Sequence, residues 1–381
     1  MKKNLLIMMS GGTTTVINST LYGIIKESYK KKFFDNIYVA IGGIEGLLNN
    51  KIKNISKLSN NFLEQIKKLP GSAVIGTSRI NKLNQLQLNQ IGKIADKFNI
   101  NYIVNIGGNG TLEQTKKLNL YFNDKINFAF APKTVDNDLG DENCKQLFFT
   151  PGFPSCVNLW KKYTYLLDIE NKGAYSHDKV LVAQTFGRNT GFIAGATRLA
   201  DIDHNLPLMI LLPEDNKARN KFYDYLDNLL VKYDRAIIIT SEGYNFGNIG
   251  KHYDSRGQIS YGSSKITVSQ LIVNKLIKKM KINSRSFIPT IMQRQSFAES
   301  LNFDYYYAEK IGRQIVNNFK IDNKNFAMTI LNPKFNNKRE LVVPINFKNI
   351  KNFSRKMSYS FIKKNKFDVS NKYINYLNSF F

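Results

Sequence analysis

Four times along this chain a short apolar run ends in a glycine turn and gives way to helical spacing, and nothing else in the sequence restricts its fold as much. Asn4-Leu-Leu-Ile-Met-Met9 runs into Ser10-Gly11-Gly12, and residues 16–25 then carry apolar side chains at helical intervals. Asn101-Tyr-Ile-Val-Asn-Ile106 runs into Gly107-Gly108-Asn109-Gly110, with a helix-like stretch from Leu112. Looser versions pair residues 180–183 with Gly187 and residues 236–240 with Gly243. Runs this apolar read as strands buried on both faces. Their alternation with helices predicts an α/β fold of mainly parallel sheets covered by helices. All the glycine turns fall at carboxyl ends of strands, where sheets of this kind bind ligands.

At 381 residues the chain has room for two domains or one large α/β unit. Its 43% hydrophobic and 22% charged residues exclude a wholly disordered chain. Two cysteines, Cys144 and Cys156, and no signal-like start argue against a disulfide scaffold and predict a reducing, cytoplasmic setting. No apolar run approaches the roughly 20 residues of a membrane span, so no membrane partner is expected. The charge is unusual: 55 Lys+Arg against 29 Asp+Glu give +26. Such an excess raises nucleic acid as a partner. It is spread along the chain, mostly as Lys among many Asn and Ile, which reads as compositional bias and leaves nucleic acid an unfavoured alternative. No linker or internal repeat marks the domains. Hinges are expected in the loop 141–154 and the polar stretch 244–264. Beyond Pro344 the sequence turns Lys/Asn/Phe/Tyr-rich, with a basic run at 348–366, and reads as a surface extension packed through its aromatics.

Each motif alone is a weak signal. A Gly-Gly turn lets backbone N–H groups approach an anion at a helix N-terminus, but glycine also ends strands for structural reasons. In Gly107-Gly108-Asn109-Gly110-Thr111 a short polar residue between glycines adds a metal or phosphate contact. NAD kinases and lipid kinases use a related loop, so it names no substrate. Pro132-Lys133-Thr134-Val135-Asp136-Asn137-Asp138 concentrates a cation, a hydroxyl and two carboxylates after the strand-like 128–131. Alternation places Thr134, Asp136 and Asp138 on one side, so a phosphoryl acceptor would meet base and positioning groups together. The plainer alternative is an Asx-rich turn with solvated carboxylates.

In order along the chain these segments resemble phosphofructokinases. The resemblance runs through Ser10-Gly-Gly-Thr-Thr-Thr-Val-Ile-Asn-Ser19, Gly43-Ile-Glu-Gly46 and Leu69-Pro-Gly-Ser-Ala-Val-Ile-Gly-Thr-Ser-Arg79. It continues through the two loops above to Thr185-Phe-Gly-Arg188 with Thr190-Gly-Phe-Ile-Ala194, then Ser241-Glu-Gly243 and Met292-Gln-Arg294. The versions here look most like a bacterial subgroup with many pyrophosphate users. The resemblance implies two Rossmann-like domains with the active site in the cleft between them. A donor-binding domain is expected over 1–165 plus about 265–330, a fructose 6-phosphate-binding domain over 166–264, and a basic extension over 331–381.

Carried over position by position, the resemblance makes Asp136 the base for the sugar 1-hydroxyl and Asp138 its charged neighbour near the metal. Thr134, Phe186, Gly187, Arg188, Glu242 and Arg294 would bind fructose 6-phosphate, with Arg188 also steadying charge in transfer and Arg294 holding the 6-phosphate by its guanidinium fork. Lys179 would reach across a subunit interface, which implies a homo-oligomer, dimer or tetramer. Gly11, Gly12, Arg79, Gly108, Gly110, Thr111 and Lys133 would bind the donor, and Asn109 with Asp136 would hold Mg²⁺.

Two positions bear on the donor. An Asp in the glycine loop favours pyrophosphate in this family; here Gly110 leaves room for a nucleotide, which favours ATP. Lys133 is typical of pyrophosphate users, although some ATP-dependent members combine it with the glycine. Asn109, Gln184 and Phe186 depart from the usual residues, and the loop 140–150 is expanded. The expected activity is a 6-phosphofructokinase using ATP, with pyrophosphate as the alternative donor and a non-catalytic regulatory subunit as a further alternative.

Overall fold

The computed structural model describes residues 3–381 apart from 70, 72–73, 81, 124, 254–256, 258, 337–338, 351–352 and 365, and no side chain at 216–218. Pro70, Ser72 and Ala73 of the motif at 69–79, and parts of the stretches 244–264 and 348–366, lie outside the described residues. The chain forms two compact units. One comprises Met1–Thr134, Leu139–Phe153 and Arg294–Ser354; the other comprises Val135–Asp138, Pro154–Gln293 and Arg355–Phe381.

Strands β1 (Asn4–Met9), β2 (Asn36–Ala40), β3 (Ile52–Asn54), β4 (Ile100–Gly107) and β5 (Asn127–Pro132) open the first unit. The second unit holds β6 (Val180–Thr185), β7 (Leu208–Leu211), β8 (Ala236–Ser241) and β9 (Ser284–Phe287). The chain then returns to the first sheet with β10 (Phe326–Ile330) and β11 (Val342–Asn346). It ends in the second unit with a short antiparallel pair, β12 (Ile362–Lys363) and β13 (Asp368–Val369), and the helix Asn371–Asn378.

The first sheet runs β11-β10-β5-β4-β1-β2-β3, parallel except at its edges, where β3 and β11 pair antiparallel with their neighbours. The second sheet, β7-β8-β6-β9, is wholly parallel. Every residue of β1, β6, β7 and β8 is buried, the condition under which a strand reads as a continuous apolar run. The expected α/β architecture of two units with mainly parallel sheets and covering helices is what the chain adopts.

The structure divides the chain at other places than 166, 265 and 331. Thr267 and Gln270 form a capping box that starts the helix Val268–Met280, whose Val268, Ile272 and Leu276 join the core under β6 and β8. Because β9 also pairs with β6, the return to the first unit comes at Arg294. Residues 331–381 are no separate extension. β11 completes the first sheet, while Phe361, Phe367, Tyr373 and Leu377 are buried in the second unit. Phe367 belongs to the same core cluster as Met209 and Ile238, and its carbonyl accepts from the Ile210 amide at 2.8 Å. The expanded loop after Gly140 is organised by Asp141, whose carboxylate accepts from the amides of Lys145 at 2.8 Å and Gln146 at 2.7 Å. No helix among the described residues is long and apolar enough to cross a membrane.

Candidate active site

In the first unit the glycine turns after β1 and β4 meet the turn after β5. The Gly11 amide donates to Ser78 O at 2.8 Å, which ties the first turn to the segment carrying the exposed Arg79. Lys133 follows β5 and is 2% exposed; its Nζ donates to Ser10 O at 3.0 Å and to Gly12 O. A cation buried in this way satisfies the carbonyls of the turn from beneath. The Arg294 guanidinium lies on the same turn, for a Cβ at Gly12 would stand 2.7 Å from its Nη1. Arg294, expected among the sugar-binding residues, is therefore brought together with a residue expected to bind the donor.

The second turn leads into the helix Asn109–Phe122. Gly108 is its N-cap, and no side chain caps it. The N–H groups of such a first turn, at the positive end of the helix dipole, suit an anion. Asn109 and Gly110 are half-buried in that turn, whereas Thr111 is 3% exposed and packs against Gly107. A Cβ at Gly108 would lie 3.7 Å from Lys133 O and 4.0 Å from Thr134 Cβ, so the turns after β4 and β5 adjoin.

The second unit takes up the same loop one residue later. Val135, Asn137 and Leu139 are buried while Thr134, Asp136 and Asp138 are half-exposed, the alternation the sequence predicts. Thr190 Oγ1 donates to Asp136 O at 3.1 Å, joining this loop to the turn after β6. There Gly187 has φ +114°, a region closed to side-chain-bearing residues. Ser241, at the end of β8, donates its hydroxyl to Gly187 O and accepts from the Gly243 amide at 3.1 Å. Any side chain at Gly243 would run into Arg188 O, so the Ser-Glu-Gly turn sits directly on the Gly-Arg turn. Arg188 and Glu242 are both half-exposed.

Tyr261 is a residue that sequence reasoning missed. Burial holds its phenol above the usual range, the Glu242 charge adds to this and the Arg188 charge opposes it, which places the tyrosine near both. It lies in the polar stretch 244–264, where no motif marks it. Asp136 and Asp138 offer the hard oxygen donors that Mg²⁺ prefers. Among the described residues no three or more His, Cys, Asp or Glu gather into a metal cage.

Lys179 is not brought together with these residues. It precedes β6, at the end opposite Gly187, across a six-residue strand of about 20 Å, and pairs with Asp234. Arg285 of β9 lies at the same end, 2.7 Å from Asp178. One departure from the family pattern, Gln184, makes a side-chain hydrogen bond, and at Phe186 the backbone is held. Gln184 Oε1 accepts from the Ser269 amide at 3.0 Å in the first turn of the helix Val268–Met280. The Phe186 amide donates to Gln293 Oε1 at 2.8 Å, an oxygen shared with Trp160 Nε1 at 3.0 Å.

Glu214 adds a pH dependence. Its Oε1 accepts from the amides of Gly191 at 3.1 Å and Met357 at 2.9 Å, while Oε2 is buried without a hydrogen bond. Burial pushes its carboxyl from 4.5 up to about 7, against the lowering effect of those amides. The unfolded chain releases this proton near pH 4.5 and the folded protein keeps it to about 7, so stability falls as pH rises through that window. The full effect is about 3 kcal/mol. Glu214→Gln should remove this slope, leaving the variant more stable than the parent at pH 8 and not at pH 4. Urea midpoints across pH 4–8 measure it; parallel curves would contradict the assignment.

Comparison with known proteins identifies the family. The phosphofructokinase family model matches residues 4–319. The chain is 24% identical to the pyrophosphate–fructose 6-phosphate 1-phosphotransferase of Rhodospirillum rubrum, covering 99% of this chain and 93% of that one. It is 26% identical to the ATP-dependent 6-phosphofructokinase of Borreliella burgdorferi, covering 86% and 73%. The solved pyrophosphate-dependent phosphofructokinase of Nitrosospira multiformis superposes with a TM-score of 0.85 at 22% identity, over 100% of this chain and 91% of that one. With a match of this extent, the chain belongs to the phosphofructokinase family and is a phosphotransferase, its donor either ATP or pyrophosphate.

Proposed function

We propose that this protein is a 6-phosphofructokinase that transfers a phosphoryl group from ATP to the 1-hydroxyl of fructose 6-phosphate, as a step of glycolysis. The observation that carries the reading is the half-exposed pair Asp136 and Asp138, held in one unit with Arg188 and Glu242. Asp136 takes the proton of the 1-hydroxyl as its oxygen bonds to the terminal phosphorus of ATP, and the bond to the ADP oxygen breaks. Arg188 offsets the negative charge on the moving group. Glu242 accepts hydrogen bonds from sugar hydroxyls, and the uncapped helix at Asn109 with Lys133 and Arg294 supplies positive potential for phosphates. Mg²⁺, drawing on an oxygen of Asp136, would neutralise donor phosphate charge. Lys179, far from Gly187 in its own chain, suits a contact with a second subunit, so the active form is a dimer or tetramer in the cytoplasm.

ATP is favoured because Gly110, in the first turn of the helix Asn109–Phe122, brings no carboxylate to repel a nucleotide phosphate. Pyrophosphate is the second reading, favoured by the names of the Rhodospirillum rubrum and Nitrosospira multiformis proteins. Lys133 no longer separates the two, since its ammonium is committed to the turn carbonyls. Parallel assays of fructose 6-phosphate phosphorylation with each donor test the proposal, and no turnover with either would end it. Gly110→Asp should lower kcat/KM for ATP about 10–100-fold while sparing pyrophosphate, a like-charge effect at short range. Equal loss with both donors would refute this reading of Gly110.

A further inference from the structure

The end of the chain reaches the loop that carries the two aspartates. Arg355 is 1% exposed. Its Nε donates to Asn137 O at 2.7 Å, its Nη2 donates to Asn137 Oδ1, and its amide donates to Asp138 O at 2.8 Å. From the helix Asn371–Asn378, the Tyr376 hydroxyl accepts from Asn137 Nδ2 at 2.9 Å. Asn137 is fully buried and has φ +54°. A residue with a side chain persists in that left-handed region where its surroundings hold it, and Asn tolerates it best. Its carbonyl and both ends of its amide are held by the C-terminal segment. With Asn137 turned inward, the residues on either side of it, Asp136 and Asp138, face the half-exposed side. A planar guanidinium can meet two oxygens at once, which an ammonium does less well.

We propose that Arg355 and Tyr376 are positioning residues for the phosphoryl transfer, fixing the backbone at Asn137 and through it the aim of the Asp136 carboxylate. This rests on the reading of Asp136 as the base and extends it by giving the last 27 residues, Arg355–Phe381, a part in the reaction. A base acts only within hydrogen-bond reach of its proton, and a misplacement of about 1 Å costs about 10²-fold in rate. Arg188 and Glu242 sit on the turns after β6 and β8, separate stretches of chain, so the effect is expected on kcat rather than on sugar binding.

The test uses the full chain, with steady-state kinetics for the parent, Arg355→Lys and Tyr376→Phe, and hydrogen exchange of peptides spanning 135–139. Arg355→Lys should lower kcat about 10–100-fold and Tyr376→Phe about 3–10-fold, with KM for fructose 6-phosphate within about threefold in both. Exchange at 135–139 should quicken while β6 and β8 keep their protection. In Arg355→Ala, added guanidinium ion should restore part of kcat. Unchanged kcat in both folded variants overturns the proposal. So does a rise in KM with faster exchange throughout the second unit, which marks general loosening. If the parent turns over with neither donor, the reading of Asp136 fails by that result alone. Exchange at 135–139 then decides separately whether Arg355 and Tyr376 hold the loop, and unchanged exchange overturns that as well.

Discussion

Replacing Asp136 by serine is expected to lower kcat by about 10²–10⁴-fold, the range general-base catalysis supplies, with little change in KM for fructose 6-phosphate. The sugar 1-hydroxyl is a poor nucleophile until its proton has somewhere to go. A carboxylate at the half-exposed Asp136 provides that acceptor, and a serine hydroxyl is both shorter and far less basic. The backbone at 136 is independently held, by Thr190 Oγ1 on its carbonyl and by the buried Asn137 beside it. The substitution should therefore remove the acceptor without moving the loop. Arg188 and Glu242, the proposed sugar-binding residues, are untouched, so KM for fructose 6-phosphate should change little. An interaction made only in the transition state lowers kcat and kcat/KM together. Asp136→Asn, which keeps the shape and loses the charge, should fall as far as the serine variant. A kcat within about threefold of the parent would remove Asp136 from the role of base.

What the sequence disclosed was whatever is decided locally. Strands buried on both faces leave runs such as Leu5-Leu6-Ile7 and Ile237-Ile238-Ile239, and the ligand end of each is marked by glycine because backbones must approach closely there. The alternation at 134–138 was legible from consecutive residues, although the backbone there bends, with Asn137 at φ +54°. The edge strand β9, Ser284–Phe287, has a polar sequence and only partial burial, so no apolar run marks it. The return to the first unit comes at Arg294, not at about 265.

The C-terminal segment was opaque because its partners are far away along the chain. Asn137 lies 218 residues from Arg355 and 239 from Tyr376. No spacing announces such pairs, and a Lys-rich composition disguised a segment whose aromatics are core. Lys133 shows the converse. Its position was visible, but its bonds to Ser10 and Gly12, more than a hundred residues earlier, were not.

The stability of the second unit should depend most on Arg198, and Arg198→Met is expected to cost about 3–5 kcal/mol of unfolding free energy. Arg198 is 2% exposed. Its Nε meets Asp368 Oδ1 at 2.8 Å, its Nη1 meets Asp201 Oδ2 at 2.7 Å, and its Nη2 donates to Leu208 O at 3.4 Å. Asp201 and Asp368 are themselves 6% and 4% exposed. Methionine fills much of the volume but leaves two buried carboxylates without the guanidinium between them, Asp368 keeping only the His204 imidazole at 3.4 Å. The penalty comes from that uncompensated charge, not from the lost attraction. Neutralising both carboxylates in the same variant, Arg198→Met with Asp201→Asn and Asp368→Asn, should therefore recover most of the loss. A loss of 3–5 kcal/mol is a large part of the 5–15 kcal/mol typical of a domain. Because Asp368 lies in β13, the single variant should also free the segment that carries Arg355 and Tyr376, so kcat should fall at temperatures where the protein is still folded. Urea unfolding of the parent, single and triple variants measures the first effect and steady-state kinetics the second. If the single variant loses less than about 1 kcal/mol, or the triple variant is no more stable than the single, the buried charge does not tie the end of the chain to the unit.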